Sequence, residues 1–474
     1  MPAFDVLNIQ KNEGRSYAKD IDMLFAASGD LRNVICSINE LSSSYKDTCT
    51  IVVNDKNYNV VARNVTMLLL AAQLPPVDAA ELILHIWYSG RLSQSMLVAI
   101  EKYVKEPVAD VVAKIKGKSD VNIQSKKWTY GAVTMTVCLY KPQWITLLQI
   151  LEAKHEVQKT EEERRKVVLA PTRIDYRERE FYKLSGPRRM CSTKFRKTGI
   201  LAPFGSCLDQ FESSNPLLFN ETNSTWLQKD SASPLEGWSM QSIQNPLNLQ
   251  RTAKNDLNGL LYFYVRGVIE EFCRRIQLSK LHFTFFCLDA AELHKYLKQP
   301  IFDRIEVSNI VDDHFLGIHK ALAVFAPMLK PPSINPHAAL ITLFLNACEI
   351  VDHQSGPIVD RAKIAMIMGY ARLTSIDMIK AANPASRESF RFDAARRLLR
   401  DFDKLFGDYE AEMGFSAAAR SAGLKMRVPN TVIEAWPMRL KKRPGEDGAE
   451  EEYKVRMESS WTGSERYVEW IRKE

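Results

Sequence analysis

The sequence predicts an α/β fold, and three observations carry that prediction. Met23-Leu24-Phe25-Ala26-Ala27 is an apolar run that stops at Ser28-Gly29-Asp30, where a helical pattern starts at once. A second run, Cys49-Thr50-Ile51-Val52-Val53, stops at Asn54-Asp55. Two later runs, His282–Leu288 ending in Asp289-Ala290 and Phe302–Ile310 carrying Ser308-Asn309, complete four strand ends in order. Strand, glycine turn, helix and acid-tipped strand open a Rossmann-like nucleotide site. Glycine lets a ligand approach the backbone, and the helix that follows offers free N–H groups and a positive dipole end.

Taken in order, residues 1–75 read as the first half of the Rossmann-like core. The spacing of Val60, Val61, Val65, Leu68, Leu69 and Ala72 predicts a helix that Pro75-Pro76 ends. Residues 76–255 read as a large insertion. Within it, Leu82, Ile83, Ile86 and Trp87 form one helix face, and Ser93–Val112 is helical again. Residues 116–126 read as a polar loop. Trp128–Tyr140 predicts a strand or hairpin, and Lys141-Pro142 starts a long helix. Residues 171–250 have weak periodicity but are too apolar for disorder, so an ordered irregular arm is expected. Residues 256–350 read as the second half of the core, with Ala339–Leu345 a strand or helix. Residues 351–474 read as a helical C-terminal region closed by a helix over 465–472.

Composition bounds the function. The 474 residues carry a net charge of +7, which confines any basic footprint to a local patch and argues against a nucleic-acid coat. The eight cysteines form no C-x-x-C pair and, with the histidines, no zinc spacing. His314 and His319, five apart, fall on different helix faces, so no metal site is expected. The cysteines lie mostly inside apolar runs, as reduced thiols do in the cytoplasm. Met1-Pro2-Ala3-Phe4-Asp5 does not open a signal peptide, and Val65–Ala72 is too short to span a bilayer. A cytoplasmic protein away from membranes is expected. No P-loop, H-E-x-x-H or G-x-S-x-G elbow is present, which disfavours standard ATPases, zinc proteases and serine hydrolases.

The four strand ends in series resemble the Rossmann-like methyltransferases that use S-adenosylmethionine. The resemblance implies that Ser28, Gly29, Asp30 and Arg32 pass the methionine part of the cofactor, that Asp55 holds the ribose, and that Asp289-Ala290 holds the adenine edge. It implies that Ser308 lines the site, and that Asn309, Asp312 or Asp313 faces the methyl acceptor, one aspartate acting as base. The sequence departs from that pattern: Ala26-Ala27 replace the usual acid, and one glycine stands for three. A second resemblance rests on Leu24–Asn33, Val53–Asn64, Arg173–Leu184, Phe195–Gly205 and Asp303–Ile310. These stretches are similar to a eukaryotic, mostly fungal, uncharacterised family that shares the N-terminal domain of dynein axonemal assembly factor 3. That resemblance implies a cytosolic protein with a methyltransferase-like fold.

Each acid also has a plainer role available. Asp30 and Asp55 suit helix caps, and Arg32 suits a surface ion pair. The densest basic run spans Arg173 to Lys197, interleaved with Tyr176, Phe181, Tyr182 and Phe195, and could bind phosphate or nucleic acid. We expect it instead to line a pocket, its arginines turned inward onto carboxylates such as Asp175. Three functions follow: a methyltransferase-like protein acting on an unidentified small-molecule or protein acceptor, a non-catalytic assembly scaffold with a protein partner, and a nucleic-acid or phosphate binder.

Overall fold

The structure is a computed structural model of the chain, and it describes all residues except 171–183, 229–232, 298–301, 356–360, 372–373, 460 and 474. Eleven strands are described: β1 (Ile21–Phe25), β2 (Cys49–Asn54), β3 (Arg91–Leu92), β4 (Ile123–Tyr130), β5 (Val133–Tyr140), β6 (Ser213–Ser214), β7 (Leu281–Phe286), β8 (Arg304–Glu306), β9 (Ala339–Phe344), β10 (Leu424–Arg427) and β11 (Arg466–Arg472). Nine of them form one mixed sheet in the order β10-β11-β9-β8-β1-β2-β7-β5-β4, while β3 and β6 pair separately. The central strands β7, β2, β1, β8 and β9 run parallel.

Parallel central strands are covered by helices on both faces, so their sequences read as nearly continuous apolar runs. Side chains alternate between the two cores. Met23 and Phe25 of β1, Ile51 and Val53 of β2, and Ile341 and Leu343 of β9 enter the core shared with helices Arg32–Glu40, Tyr58–Gln73, Pro76–Tyr88 and Leu257–Leu278. Leu24, Val52, Leu340 and Phe344 enter the opposite core, with helices Gly317–Phe325, Phe402–Glu412 and Phe415–Ser421. The period of two thus shows in where each residue packs. A third, smaller core joins helices Arg361–Ala371, Arg387–Leu398 and Ala449–Met457.

Several expectations change. Residues 465–472 form strand β11, not a closing helix. Tyr467, Val468, Trp470 and Ile471 favour a pleated surface, and the free edge of β9 takes them antiparallel. Glu469, fully buried there, accepts backbone N–H groups from Thr431, Val432 and Ile433. The expected helical C-terminal region is likewise interrupted at Leu424 by β10. The insertion adds the β4–β5 hairpin to the sheet, β5 lying parallel to β7, and β4 begins inside the expected polar loop. The expected long helix from Lys141 breaks after Glu152 and resumes at Val157. The arm holds a regular helix, Gly186–Thr198, which packs on Leu257–Leu278.

Candidate functional site

The ends of the central strands are tied together by one buried amide. Asn54 Nδ2 donates to the carbonyls of Ala26 (2.8 Å) and Leu288 (3.1 Å), and Oδ1 accepts the Leu288 N–H (3.0 Å). Ser28 N–H donates to the Asn54 carbonyl at 2.9 Å. Gly29 then turns with φ +56°, a left-handed conformation that a side chain would strain. Its N–H donates to Asp55 Oδ2 (2.9 Å), and its carbonyl accepts from Asn64 Nδ2 (2.8 Å). The other Asp55 oxygen accepts the Asn57 N–H (2.8 Å). Burial pushes the Asp55 carboxyl above its ordinary range. Both oxygens of the acid that the sequence series gives to a ribose therefore hold backbone N–H groups. The helix that follows is capped by Asn57, not by Asp55.

Asp30 leaves this turn and accepts from Arg32 twice on one oxygen, from N–H (3.0 Å) and from Nε (2.7 Å). The two face a cavity of about 1130 Å³. Trp87, Tyr88, Phe195, Trp226, Trp238 and Trp461 give it aromatic walls. Trp87 and Tyr88 stack at 5.1 Å, and Trp238 Nε1 donates to Tyr88 Oη at 2.9 Å. Gly237 presses on the Arg32 guanidinium: a Cβ there would stand 1.8 Å from Nη1. Arg63 and Arg456 also line the cavity. The strand-end series pointed to neither arginine and to none of the tryptophans, and the Val53–Asn64 stretch held Arg63 without giving it a role, because the segments that assemble the wall are far apart in the chain.

The other strand ends lie outside the cavity lining. Asp289 is exposed and accepts the Ala291 N–H (2.9 Å), capping the short turn that begins at Ala290. Ser308, at φ +52°, donates its N–H to Glu306 Oε1 (2.7 Å). Asp312 is fully buried, and its Oδ2 gathers Asn309 Nδ2, the Leu345 N–H and Asn346 Nδ2 at 3.1–3.5 Å. Burial pushes its carboxyl up. Asp313 is exposed. The structure thus brings Asp30 and Arg32 to the cavity. Ser28, Gly29 and Asp55 build the turn that presents them. Asp289, Ala290, Ser308, Asn309, Asp312 and Asp313 stand apart from it.

Of the basic arm, residues 173–183, Asp175 among them, lie outside the described residues. Phe195, Arg196 and Gly199 line the cavity, and Arg188 is buried in an ion pair with Glu458 from the C-terminal region. A further polar constellation is Ser89–His85–Glu81. Ser89 Oγ is 2.9 Å from His85 Nδ1, and His85 Nε2 is 3.1 Å from Glu81 Oε1. The order is that of a nucleophile, base and acid relay. Ser89 is completely buried, however, and its Oγ accepts the Leu201 N–H at 3.1 Å. The relay pins the 201 loop to the helix. Among the described residues no group of three metal-ligating side chains is disposed around one point, and no helix is long and apolar enough to cross a membrane.

A family model described as Domain of unknown function (DUF4470) matches residues 1–92. That span supplies β1, β2 and the glycine turn, and it brings Asp30, Arg32, Arg63, Trp87 and Tyr88 to the cavity. No curated protein and no solved structure matches the chain.

Proposed function

We propose that this protein binds S-adenosylmethionine or a related nucleoside in the cavity beside the Gly29 turn, on a Rossmann-like, methyltransferase-type core. The observation that carries the reading is the cavity's position. It begins at Asp30 and Arg32, directly after β1. Counted in chain order, the parallel strands β7-β2-β1-β8-β9 stand as 3-2-1-4-5, and β1 and β8 flank the point where that order reverses. Ligands of doubly wound sheets bind beyond the strand ends at that point. Aromatic walls suit a flat base, and a volume near the upper end of small-molecule sites leaves room for an acceptor. If a methyl group is transferred, alignment of an already activated methyl supplies most of the catalysis.

The alternative is a non-catalytic cytosolic scaffold of the dynein-assembly-factor type. It is favoured by one observation: both oxygens of Asp55, the acid given to the ribose, are spent on backbone N–H groups. Nucleic-acid binding by the arm is disfavoured by the burial of Arg188 against Glu458. Titration calorimetry with S-adenosylmethionine and S-adenosylhomocysteine separates these readings. Micromolar binding, about −8 kcal/mol, is expected. No heat and no thermal shift at about millimolar ligand would leave the scaffold.

A further inference from the structure

Five arginines line the cavity: Arg32, Arg63, Arg164, Arg196 and Arg456. Arg32 is paired with Asp30, and Arg164 with Glu161. Arg196 donates to the Val168 carbonyl. Arg63 and Arg456 differ from these. Among the described residues, Arg63 has no carboxylate within ion-pair reach, and its buried Nε has no hydrogen-bond partner. Arg456 donates to the Pro437 carbonyl and to Met438 Sδ, but its buried Nε is also unpartnered, and among the described residues no carboxylate makes an ion pair with it, Glu452 acting on it only at longer range.

Most of the acids on the same walls are already engaged, and Glu236 and the exposed Glu451 line the cavity as well. Asp30 holds Arg32, Glu434 holds Lys441, Glu458 holds Arg188, and Glu452 accepts the N–H groups of Lys441 and Lys442. Two guanidiniums, one on helix Tyr58–Gln73 and one on helix Ala449–Met457, therefore face one aromatic cavity without an ion-pair contact among the described residues, although the charges of Asp30 and Glu452 reach them. Guanidinium donors match carboxylate and phosphate oxygens two at a time, so an oxyanion is the group they fit.

We propose that the ligand of this cavity is a ring-bearing molecule with an anionic tail, carboxylate or phosphate, and that Arg63 and Arg456 select it by that tail. The inference rests on the reading of the cavity as a nucleoside site. It adds that a neutral nucleoside is a poor ligand. It also assigns the selection to one residue from the DUF4470 span and one from the C-terminal region.

The test is calorimetry of the full chain with two matched pairs. S-Adenosylhomocysteine against methylthioadenosine reads a carboxylate tail, and ADP against adenosine reads a phosphate tail. In at least one pair the member that carries the carboxylate or phosphate should bind about tenfold tighter or more. Arg63→Met and Arg456→Met should each abolish that preference while leaving the neutral member's affinity alone. The melting temperature of each ligand-free variant should stay level or rise, because an uncompensated cation is removed. A loss of stability would assign these arginines to the scaffold of the fold and overturn the proposal. So would equal affinities within both pairs, a preference that survives both substitutions, or no binding by any of the four. The two readings fail separately. Equal binding of S-adenosylhomocysteine and methylthioadenosine, with ADP inert, sinks this inference and keeps the nucleoside site. A preference for ADP that needs Arg63, with S-adenosylmethionine inert, keeps this inference and removes S-adenosylmethionine from the proposed function.

Discussion

Glu306 makes the stability of this protein pH-dependent in a direction opposite to that of most carboxylates. It sits in β8 between Phe25 of β1 and Ile341 of β9, only 4% exposed. Burial pushes its carboxyl from 4.5 up to about 7, and the N–H from Ser308 and the charge of the chain's N-terminal ammonium offset only part of that. No cation pairs with it among the described residues. The folded state thus holds a proton that the unfolded chain releases between 4.5 and about 7. Linkage then makes stability fall as pH rises through that window. The full change from this group is about 3 kcal/mol, present as stability below pH 4.5 and lost above 7. Glu306→Gln keeps the shape and the acceptor for Ser308 but cannot ionise. Urea unfolding of both proteins across pH 5 to 8.5 checks it. The two should agree within about 1 kcal/mol at the acid end, and the glutamine variant should be about 3 kcal/mol more stable at the alkaline end. Parallel curves at all pH values would show that Glu306 stays ionised in the fold and would refute the argument.

Two further substitutions probe the site. Asp55→Ala removes the acceptor for two backbone N–H groups, at Gly29 and Asn57, and should cost about 1–3 kcal/mol in urea unfolding; unchanged stability with weakened S-adenosylmethionine binding would instead give Asp55 to a ribose. Gly237→Ala puts a methyl group onto the Arg32 guanidinium, so it should break the 2.7 Å bond to Asp30, cost about 1–3 kcal/mol and weaken ligand binding in calorimetry; stability and affinity both at wild-type values would show that Arg32 swings clear at no cost.

The centre of the sheet was legible in the sequence for a definite reason. β1, β2 and β7 are buried between helices, so each is a short apolar run, and each ends at a polar residue that the loop geometry requires. Asn54 and Asp55 are such residues. Their presence at a strand tip was readable, but their partners were not. The Ala26 and Leu288 carbonyls and the Gly29 N–H reach them only once three strands are in register. The margins of the sheet were harder to read. Tyr467-Val468-Glu469-Trp470 suits a helix as well as a strand in isolation. The free edge of β9, more than a hundred residues earlier in the chain, decides it. Arg63 was invisible for a similar reason. On the sequence it is one polar position in an apolar helix, and what it faces comes from segments elsewhere in the chain.

On the proposal that the cavity binds an oxyanion-bearing ligand, the pairing of Asp30 bears on which ligand it takes. Its charge bears on both Arg32 and Arg63, yet its hydrogen bonds go to Arg32 alone. Arg32 is held in place from the other side by Gly237, whose lack of a side chain admits the guanidinium, and by the Met1 carbonyl at 3.3 Å. With Arg32 fixed, Asp30 makes its hydrogen bonds there and Arg63 is left without an ion-pair contact among the described residues, while burial pushes the Arg63 guanidinium pKa down. Had Asp30 turned to Arg63 instead, the cavity would present a neutral pair and the aromatic walls alone would choose the ligand. A cation left unpaired in a half-buried wall weakens the empty protein, and an incoming oxyanion removes that penalty as it binds. On that proposal the glycine turn after β1 would act on the ligand indirectly. It positions an acid whose choice of partner leaves another residue, one helix away, positively charged.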